Sequence, residues 1–246
     1  NVPPYSRQPY VGASAFAHKA GLHASAIKID PGLYQHTDPT AVGNDMRTLV
    51  SDMAGRASIE LKGRELGYDL SDEPELLGRV LARVKALELA GYTFDAADAS
   101  FELLLHGEVV GERLSYFGVE SWRVITDCIG QGQAMSEATV KLTAGGRRFV
   151  ATGEGNGPVN ALDHALRQAL SGAYPELDRL ELIDFRVRIL DAAHGTDAVT
   201  RVLIETSDGS TSWDTVGVAP NIVEASWIAL VDGITYGLRR QSVPVR

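Results

Sequence analysis

Two kinds of hydrophobic spacing divide this chain. From about residue 45 to residue 106 apolar positions recur every three or four residues, the period of helices with one buried face. Leu49, Met53, Ala57 and Leu61 fall at four-residue spacing. Leu76, Leu77, Val80, Leu81, Val84, Leu87 and Leu89 form a second stripe, with Arg79, Arg83, Lys85 and Glu88 mostly off it. Ser71 and the acidic run before Pro74 predict the start of that helix and Gly91 its end. Asp95–Leu105 reads as a third helix. From Phe117 the period becomes two, with β-branched and aromatic residues alternating with polar ones: Trp122–Thr126, Thr139–Thr143, Arg148–Thr152. Ala144-Gly145-Gly146 predicts a hairpin turn. Cys128 falls in a strand predicted over Arg123–Ile129.

The strand-rich part repeats. Val140–Thr143 through Gly155–Val159 reappears as Val202–Glu205 through Gly217–Asn221, and both Gly155 to Gly217 and Pro158 to Pro220 span 62 residues (217 − 155 and 220 − 158). Each copy ends in a helix, Val159–Leu170 and Ile222–Leu238. In the second, strands over Leu180–Leu190, Val199–Thr206 and Thr211–Val216 lead into it. The predicted architecture is α+β: N-terminal helical subdomains followed by a pseudo-twofold (βββα)₂ domain, with a boundary near Gly107–Arg113. The first 50 residues are rich in Gly, Pro and Ala. There Pro3, Pro4 and Pro9 predict an extended start, Ala13–Ile27 a helix interrupted by Gly21, Asp30-Pro31-Gly32 a turn, and Asp38-Pro39 a helix start.

Composition narrows the partners. With 23 Lys and Arg against 32 Asp and Glu the net charge is −9, and the basic residues are dispersed. Nucleic acid and anionic membranes are poor partners for such a surface. No apolar run approaches a membrane span. One cysteine among 246 residues excludes an intrachain disulfide and fits a reducing, cytoplasmic compartment. Cys128 reads as a small strand residue, since no basic cluster activates it as a thiolate.

Candidate chemistry is sparse. His18 and His23 are five apart and miss the spacing that puts two imidazoles on one helix face; no metal site is expected within this chain. The loop Gly153–Gly157 precedes a helix but lacks the Lys-Ser/Thr of a phosphate loop, and Glu154 would repel phosphate. Helix N-terminal amides in a glycine-lined approach suit an amino-acid carboxylate better; two plain turns are the structural alternative. A seam between repeats, or between chains, would hold such a ligand. His23 and Tyr34 lie in Gly-flanked loops, where His exchanges protons near neutral pH or merely caps a surface turn. The apolar helix residues Trp227, Ile228, Leu230, Val231 and Ile234 predict a homodimer, unless all face their own sheet.

Read together, Gln8–His23, Tyr34–Asn44, Leu49–Ser58, Gly91–Leu104, Gly153–Leu162, Ala193–Thr196 and Trp213–Trp227 resemble the citramalate synthase / 2-isopropylmalate synthase family, closest to its citramalate branch. The resemblance runs over nearly the whole chain. It implies residues 1–50 as a first linker subdomain reaching a catalytic TIM barrel, 51–110 as a second, helical linker subdomain, and 113–246 as an allosteric and dimerisation domain. It also implies a reaction: a divalent metal, held in the barrel, polarises a 2-oxo acid, and the enolate of acetyl-CoA attacks it. No barrel stands in this sequence, which opens on Asn1 rather than Met. The chain therefore reads as part of a longer protein, without synthase activity or cofactor of its own. His23 and Tyr34 match the linker residues that complete the active site. Effector positions match at Gly155, Asn156, Gly157, Pro158, Val159, Asn160 and Ala161, and at Val218, Ala219, Pro220, Asn221, Ile222, Glu224 and Ala225. The effector implied is isoleucine, or leucine in the isopropylmalate branch. Asn156, Asn160 and Asn221 stand where leucine-sensing relatives tend to carry Asp, which leaves effector identity open. Also open are the 2-oxo acid, which the absent barrel selects; a 2-isopropylmalate or homocitrate synthase; and a free-standing amino-acid-binding module.

Overall fold

The computed structural model describes residues 4, 5, 7–51, 53–128, 132, 134–190 and 198–245. The motif Ala193–Thr196, Pro3 and the far end of the strand predicted to Ile129 lie outside them. The chain divides into two compact units, residues 1–95 with 108–111, and residues 96–107 with 112–246. The helix α4 (Asp98–Val110) starts three residues later than predicted. Residues 96–107, which the sequence reading places in the helical linker, thus cluster with the second unit.

In the first unit, the strands β1 (Ala17–His18) and β2 (Arg47–Thr48) pair in parallel, and α1 (Gly21–Ile29), α2 (Arg56–Glu65) and α3 (Pro74–Leu89) follow. The helix predicted from Ala13 begins only at Gly21. Residues upstream are pinned in turns, where Asn44 Nδ2 donates to Tyr10 O and Gly12 O at 2.8 and 2.9 Å. Tertiary contacts override the alanine-rich propensity there. Gly21 opens the helix rather than interrupting it: a Cβ on it would lie 2.8 Å from the Gly55 nitrogen. The Leu49–Leu61 stripe is also corrected. Leu49 is buried in a non-helical segment, Met53 is 58% exposed, and the helix starts at Arg56. In α3 the stripe buries Leu76, Leu77, Val80 and Val84 but leaves Leu89 exposed. Pro74 takes the first helical position, and Ser71 bonds to Asp69 instead of capping. Two three-residue-period turns, Pro31–Leu33 and Pro39–Val42, are opened by the Asp30 and Asp38 carboxylates.

The second unit holds two antiparallel sheets, each followed by a helix. Strands β3 (Gly118–Asp127), β4 (Met135–Ala144) and β5 (Arg147–Gly155) precede α5 (Pro158–Leu170). Strands β6 (Glu181–Ile189), β7 (Thr200–Ser207) and β8 (Ser212–Ala219) precede α6 (Ile222–Arg240). The strand orders are β3-β4-β5 and β6-β7-β8, so the (βββα)₂ reading holds. Cys128 falls just past β3 and is exposed. Gly145 and Gly146, both at positive φ, close the first hairpin as a two-residue turn whose twist suits its strands.

The true period is 64 residues, not 62. Gly153 pairs with Ala138 across β5 and β4, and Gly217 pairs with Val202 across β8 and β7, an offset of 64 on both strands (217 − 153 and 202 − 138). The helix faces agree: Ala161, Leu162, Ala165, Leu166, Ala169 and Leu170 are buried in α5, and Ala225, Ser226, Ala229, Leu230, Gly233 and Ile234 in α6. A slip of two residues keeps every strand side chain on its own face, so strand pattern alone admits both offsets. What selects 64 is contact. A Cβ on Gly153 would lie 2.7 Å from Ala161 O and 2.4 Å from Ala165 N; one on Gly217 would lie 1.9 Å from Ala225 O and 2.9 Å from Ala229 N.

Helix α4 adds to the second sheet alone. Ser100 Oγ accepts from the Val216 N–H of the edge strand β8 at 3.0 Å and donates to the buried Asp232 carboxylate, which also receives Arg113 at 2.6 Å. Burial raises the Asp232 pKa above the usual carboxylate range, against Arg113 and Ser100. Glu102 receives Tyr236 Oη at 2.8 Å and pairs with Arg239. The edge of the first sheet, β5, instead exposes Arg147, Arg148 and Glu154.

Two predictions follow from packing and charge. Gly153→Ala and Gly217→Ala should each destabilise the second unit by about 1–3 kcal/mol in urea unfolding, because backbone cannot yield as a side chain can. Gly172→Ala, where a Cβ meets nothing within 4 Å, should change it by less than about 0.5 kcal/mol. Asp214 gives a pH signature. Burial, with Glu205, Asp184 and Asp98 adding, lifts its pKa to about 6 against the pull of Arg186. Unfolded, it ionises near about 4. Between those values the folded chain holds more protons, so stability from this group falls as pH rises. Asp214→Asn should remove that fall in melts between the two pH values.

Candidate functional site

The second unit carries a solvent-open cavity of about 620 Å³ where α5 begins. Its floor is the turn Asn156-Gly157 and the first helical residues Pro158, Val159 and Asn160. One wall is the polar stripe Asp163, His164 and Arg167, and the other is Leu180, Glu181, Leu182 and Phe185, with Ile222 and Val223 from α6. Of the predicted effector positions, Asn156, Gly157, Pro158, Val159, Asn160 and Ile222 meet here. Gly155, Ala161, Ala219 and Ala225 do not line it; they are buried where strand meets helix. Val218, Pro220, Asn221 and Glu224 also lie off it, and Asn221 is occupied as the cap of α6, its side chain accepting from Val223 N and Glu224 N.

The residues that the loop-based reading missed are Asp163, His164 and Arg167, the wall residues Leu180, Glu181, Leu182 and Phe185, and Val223. The first three had a signal: with Asn160 they fall at i, i+3, i+4 and i+7, one face of a helix.

Local bonding fixes each group. Gly157, the N-cap of α5, has no side chain with which to cap, so first-turn amides face the cavity with their positive dipole end. Arg167 Nε donates to both Asp163 oxygens at 2.8 and 2.9 Å, while its Nη1 donates to Leu177 O and Leu180 O at 3.1 and 2.6 Å. His164 Nδ1 donates to Glu154 O at 2.7 Å. A carbonyl only accepts, so Nδ1 carries the proton, and in the neutral ring Nε2 offers a lone pair 3.4 Å from Asn160 Nδ2. The cavity thus presents amide donors, carboxylate and imidazole acceptors and an apolar wall, the complement of a zwitterion with an aliphatic side chain.

In the first unit the structure brings His23 and Tyr34 together, rings stacked with centroids 4.1 Å apart. His18 is a third member, 6.2 Å from His23 edge-on. Burial and the neighbouring His23 lower the His18 pKa, and its Nε2 is buried without a hydrogen-bond partner. Tyr34 is 41% exposed. Among the described residues no three His, Cys, Asp or Glu side chains stand together as metal ligands. A hollow of about 490 Å³ lies beside it along Pro31–Thr40. No helix among the described residues is long and apolar enough to cross a membrane.

Comparison with known proteins adds the family. Residues 10–91 match the family described as homocitrate synthase post-HMGL domain-like. The chain is 66% identical to the (R)-citramalate synthase of Streptomyces coelicolor over 99% of this chain and 46% of that protein. It is 45% identical to that of Synechocystis sp. over 97% and 44%, and 44% identical to that of Geobacter sulfurreducens over 98% and 46%. The chain spans about half the length of the curated relatives it matches. Residues 95–238, more than half of the sequence, match a second family, and by that match the chain belongs to the LeuA allosteric (dimerisation) domain family.

Proposed function

We propose that this chain is the linker and regulatory part of an acyltransferase that condenses acetyl-CoA with pyruvate to citramalate. Its second unit takes a branched-chain amino acid, isoleucine first, as feedback effector, and pairs with a second copy of itself. The observation that carries this reading is the cavity at the uncapped start of α5, whose donors, acceptors and apolar wall match an aliphatic amino acid. The α-carboxylate lies against the amides of Gly157, Val159 and Asn160, and the ammonium faces Asp163, Glu181 and His164 Nε2. The side chain rests on Leu182 and Phe185. Kinship with proteins named (R)-citramalate synthase at 44–66% identity supports the reaction. The family described by dimerisation supports the pairing. Of the five helix residues named for pairing, Trp227, Leu230 and Ile234 are buried within their own chain, and Ile228 and Val231 are half-buried.

In the whole synthase, His23 holds or moves a proton at the acyl substrate, with Tyr34 stacked on it and His18 beside it. The divalent metal belongs to residues outside this sequence.

Isothermal titration with isoleucine, leucine and valine tests the effector. Selective isoleucine uptake supports the reading, selective leucine uptake moves it toward a 2-isopropylmalate synthase, and uptake of none removes the effector role. At 100 times its dissociation constant the bound ligand should add about 2.7 kcal/mol of stability. Gly157→Asn probes the carboxylate position. Its Cβ meets nothing within 4 Å, and Asn caps helices better than Gly by a few tenths of about 1 kcal/mol. The variant should fold at least as well yet bind isoleucine about tenfold more weakly, since its side chain competes for the same amides; unchanged affinity would put the carboxylate elsewhere. In a synthase containing this chain, His23→Ala should lower kcat by about 100-fold or more, the usual worth of a positioned proton-transfer group.

A further inference from the structure

The positions that line the cavity have mates in the other copy of the repeat. Trp227 stands 64 residues after Asp163 (227 − 163), Ile228 after His164 and Val231 after Arg167. Trp122 is the mate of Phe185: each pairs with the central strand at an equivalent place, Trp122 with Val140 and Phe185 with Ile204. The central-strand partners differ by 64 (204 − 140). The first-strand residues differ by 63 (185 − 122), because the connection between these strands is one residue longer in the second copy.

Chemistry at the mated place is inverted. Where the cavity is lined by a carboxylate and a phenyl ring, here two indoles meet with centroids 6.0 Å apart, and Trp227 is 7% exposed. Where the cavity has His164 and Arg167, here stand Ile228 and Val231. Where α5 starts on Gly157 with bare amides, α6 starts on Asn221, whose Oδ1 accepts from Val223 N at 2.8 Å and Glu224 N at 3.4 Å. A zwitterion moved there would lose water and find the first-turn amides already taken by Asn221, with Glu224, the mate of Asn160, as the carboxylate at the start of α6.

We infer that this place is a second, closed copy of the ligand site: Trp122 and Trp227 fill the volume that a ligand takes in the first. The chain therefore binds one amino acid, beside Asp163, and the paired indoles with the capped start of α6 close the other place to it. The ligand class rests on the effector reading above; the closed copy does not.

Two measurements on the whole chain test it. Titration with isoleucine should give one ligand per chain. Asp163→Trp, which transplants the plug, should weaken binding by at least about 100-fold, whereas Trp227→Ala should leave affinity within about threefold. Two ligands per chain, or binding that survives Asp163→Trp and is lost in Trp227→Ala, overturns the inference and leaves the effector reading intact. The second measurement uses no amino acid. Trp227→Ala should open a hole that accepts indole, so that millimolar indole raises its melting temperature by at least about 2 °C and leaves the unsubstituted protein unchanged. Trp122→Ala, which removes the less buried ring, should respond likewise and serves if Trp227→Ala fails to fold. No rise in either variant overturns the closed copy. Indole uptake without isoleucine binding to the unsubstituted chain keeps the closed copy and sinks the effector reading.

Discussion

The second unit depends on direct contact between strand backbone and helix backbone at two glycines. Gly153 and Gly217 let β5 and β8 approach the carbonyls and amides of α5 and α6 more closely than any side chain permits. Alanines at 161, 165, 225 and 229, all buried, keep the facing helix surface equally thin. This contact fixes the depth, the rotation and the starting point of each helix on its sheet. The cavity is a by-product of that placement. With α5 held down at Gly153, its first turn stands next to the β6 wall, and the space between is left for Asn156, Asp163 and Phe185 to furnish.

On this common frame the two copies take opposite uses. One helix opens with a residue that cannot cap itself and carries a polar stripe down one face. The other caps itself and carries aromatic and aliphatic groups at the same places. Interior packing normally leaves few voids larger than a water molecule. The apolar copy obeys that rule through its paired indoles, and the polar copy leaves a cleft open to solvent. The difference is concentrated in a handful of positions, so a duplicated scaffold needs few substitutions to reserve one half for recognition and the other for stability.

Much of this was legible in the sequence, and the failures have physical causes. Period-two alternation located both sheets, and Gly145-Gly146 located the first hairpin. The same alternation hid the true repeat, since strand faces cannot tell an offset of 62 from one of 64, and the near-match of two Gly-x-x-Pro stretches favoured the wrong one. Pro158 sits inside α5 as its first residue, whereas Pro220 precedes the cap of α6. Glycine-rich turns drew attention to Gly155 and Val218–Asn221, because loops advertise themselves in sequence. Asp163, His164 and Arg167 do not, except as a face of a helix counted from a start that only the fold defines. The pairing of His23 with Tyr34 was suggested by motif likeness, and no spacing rule joins a residue early in α1 to one eleven positions on in a turn. Ala13–Phe16 had helical composition, but the side chain of Asn44, some thirty residues away, holds the backbone just before it in turns.

The covered edge of the second sheet carries a further consequence. An outer strand with vacant amides is a template on which a foreign strand can grow a ladder, the first step toward cross-β fibres. At β8 the outward amide of Val216 is already spent on Ser100, a residue anchored through Asp232 to the helix behind the sheet. The corresponding edge at β5 exposes arginines and a glutamate, whose charges deter a neighbouring strand by another route. Of these two edges, one is met by a hydrogen bond and the other by charge, two separate ways of discouraging growth of a foreign strand there.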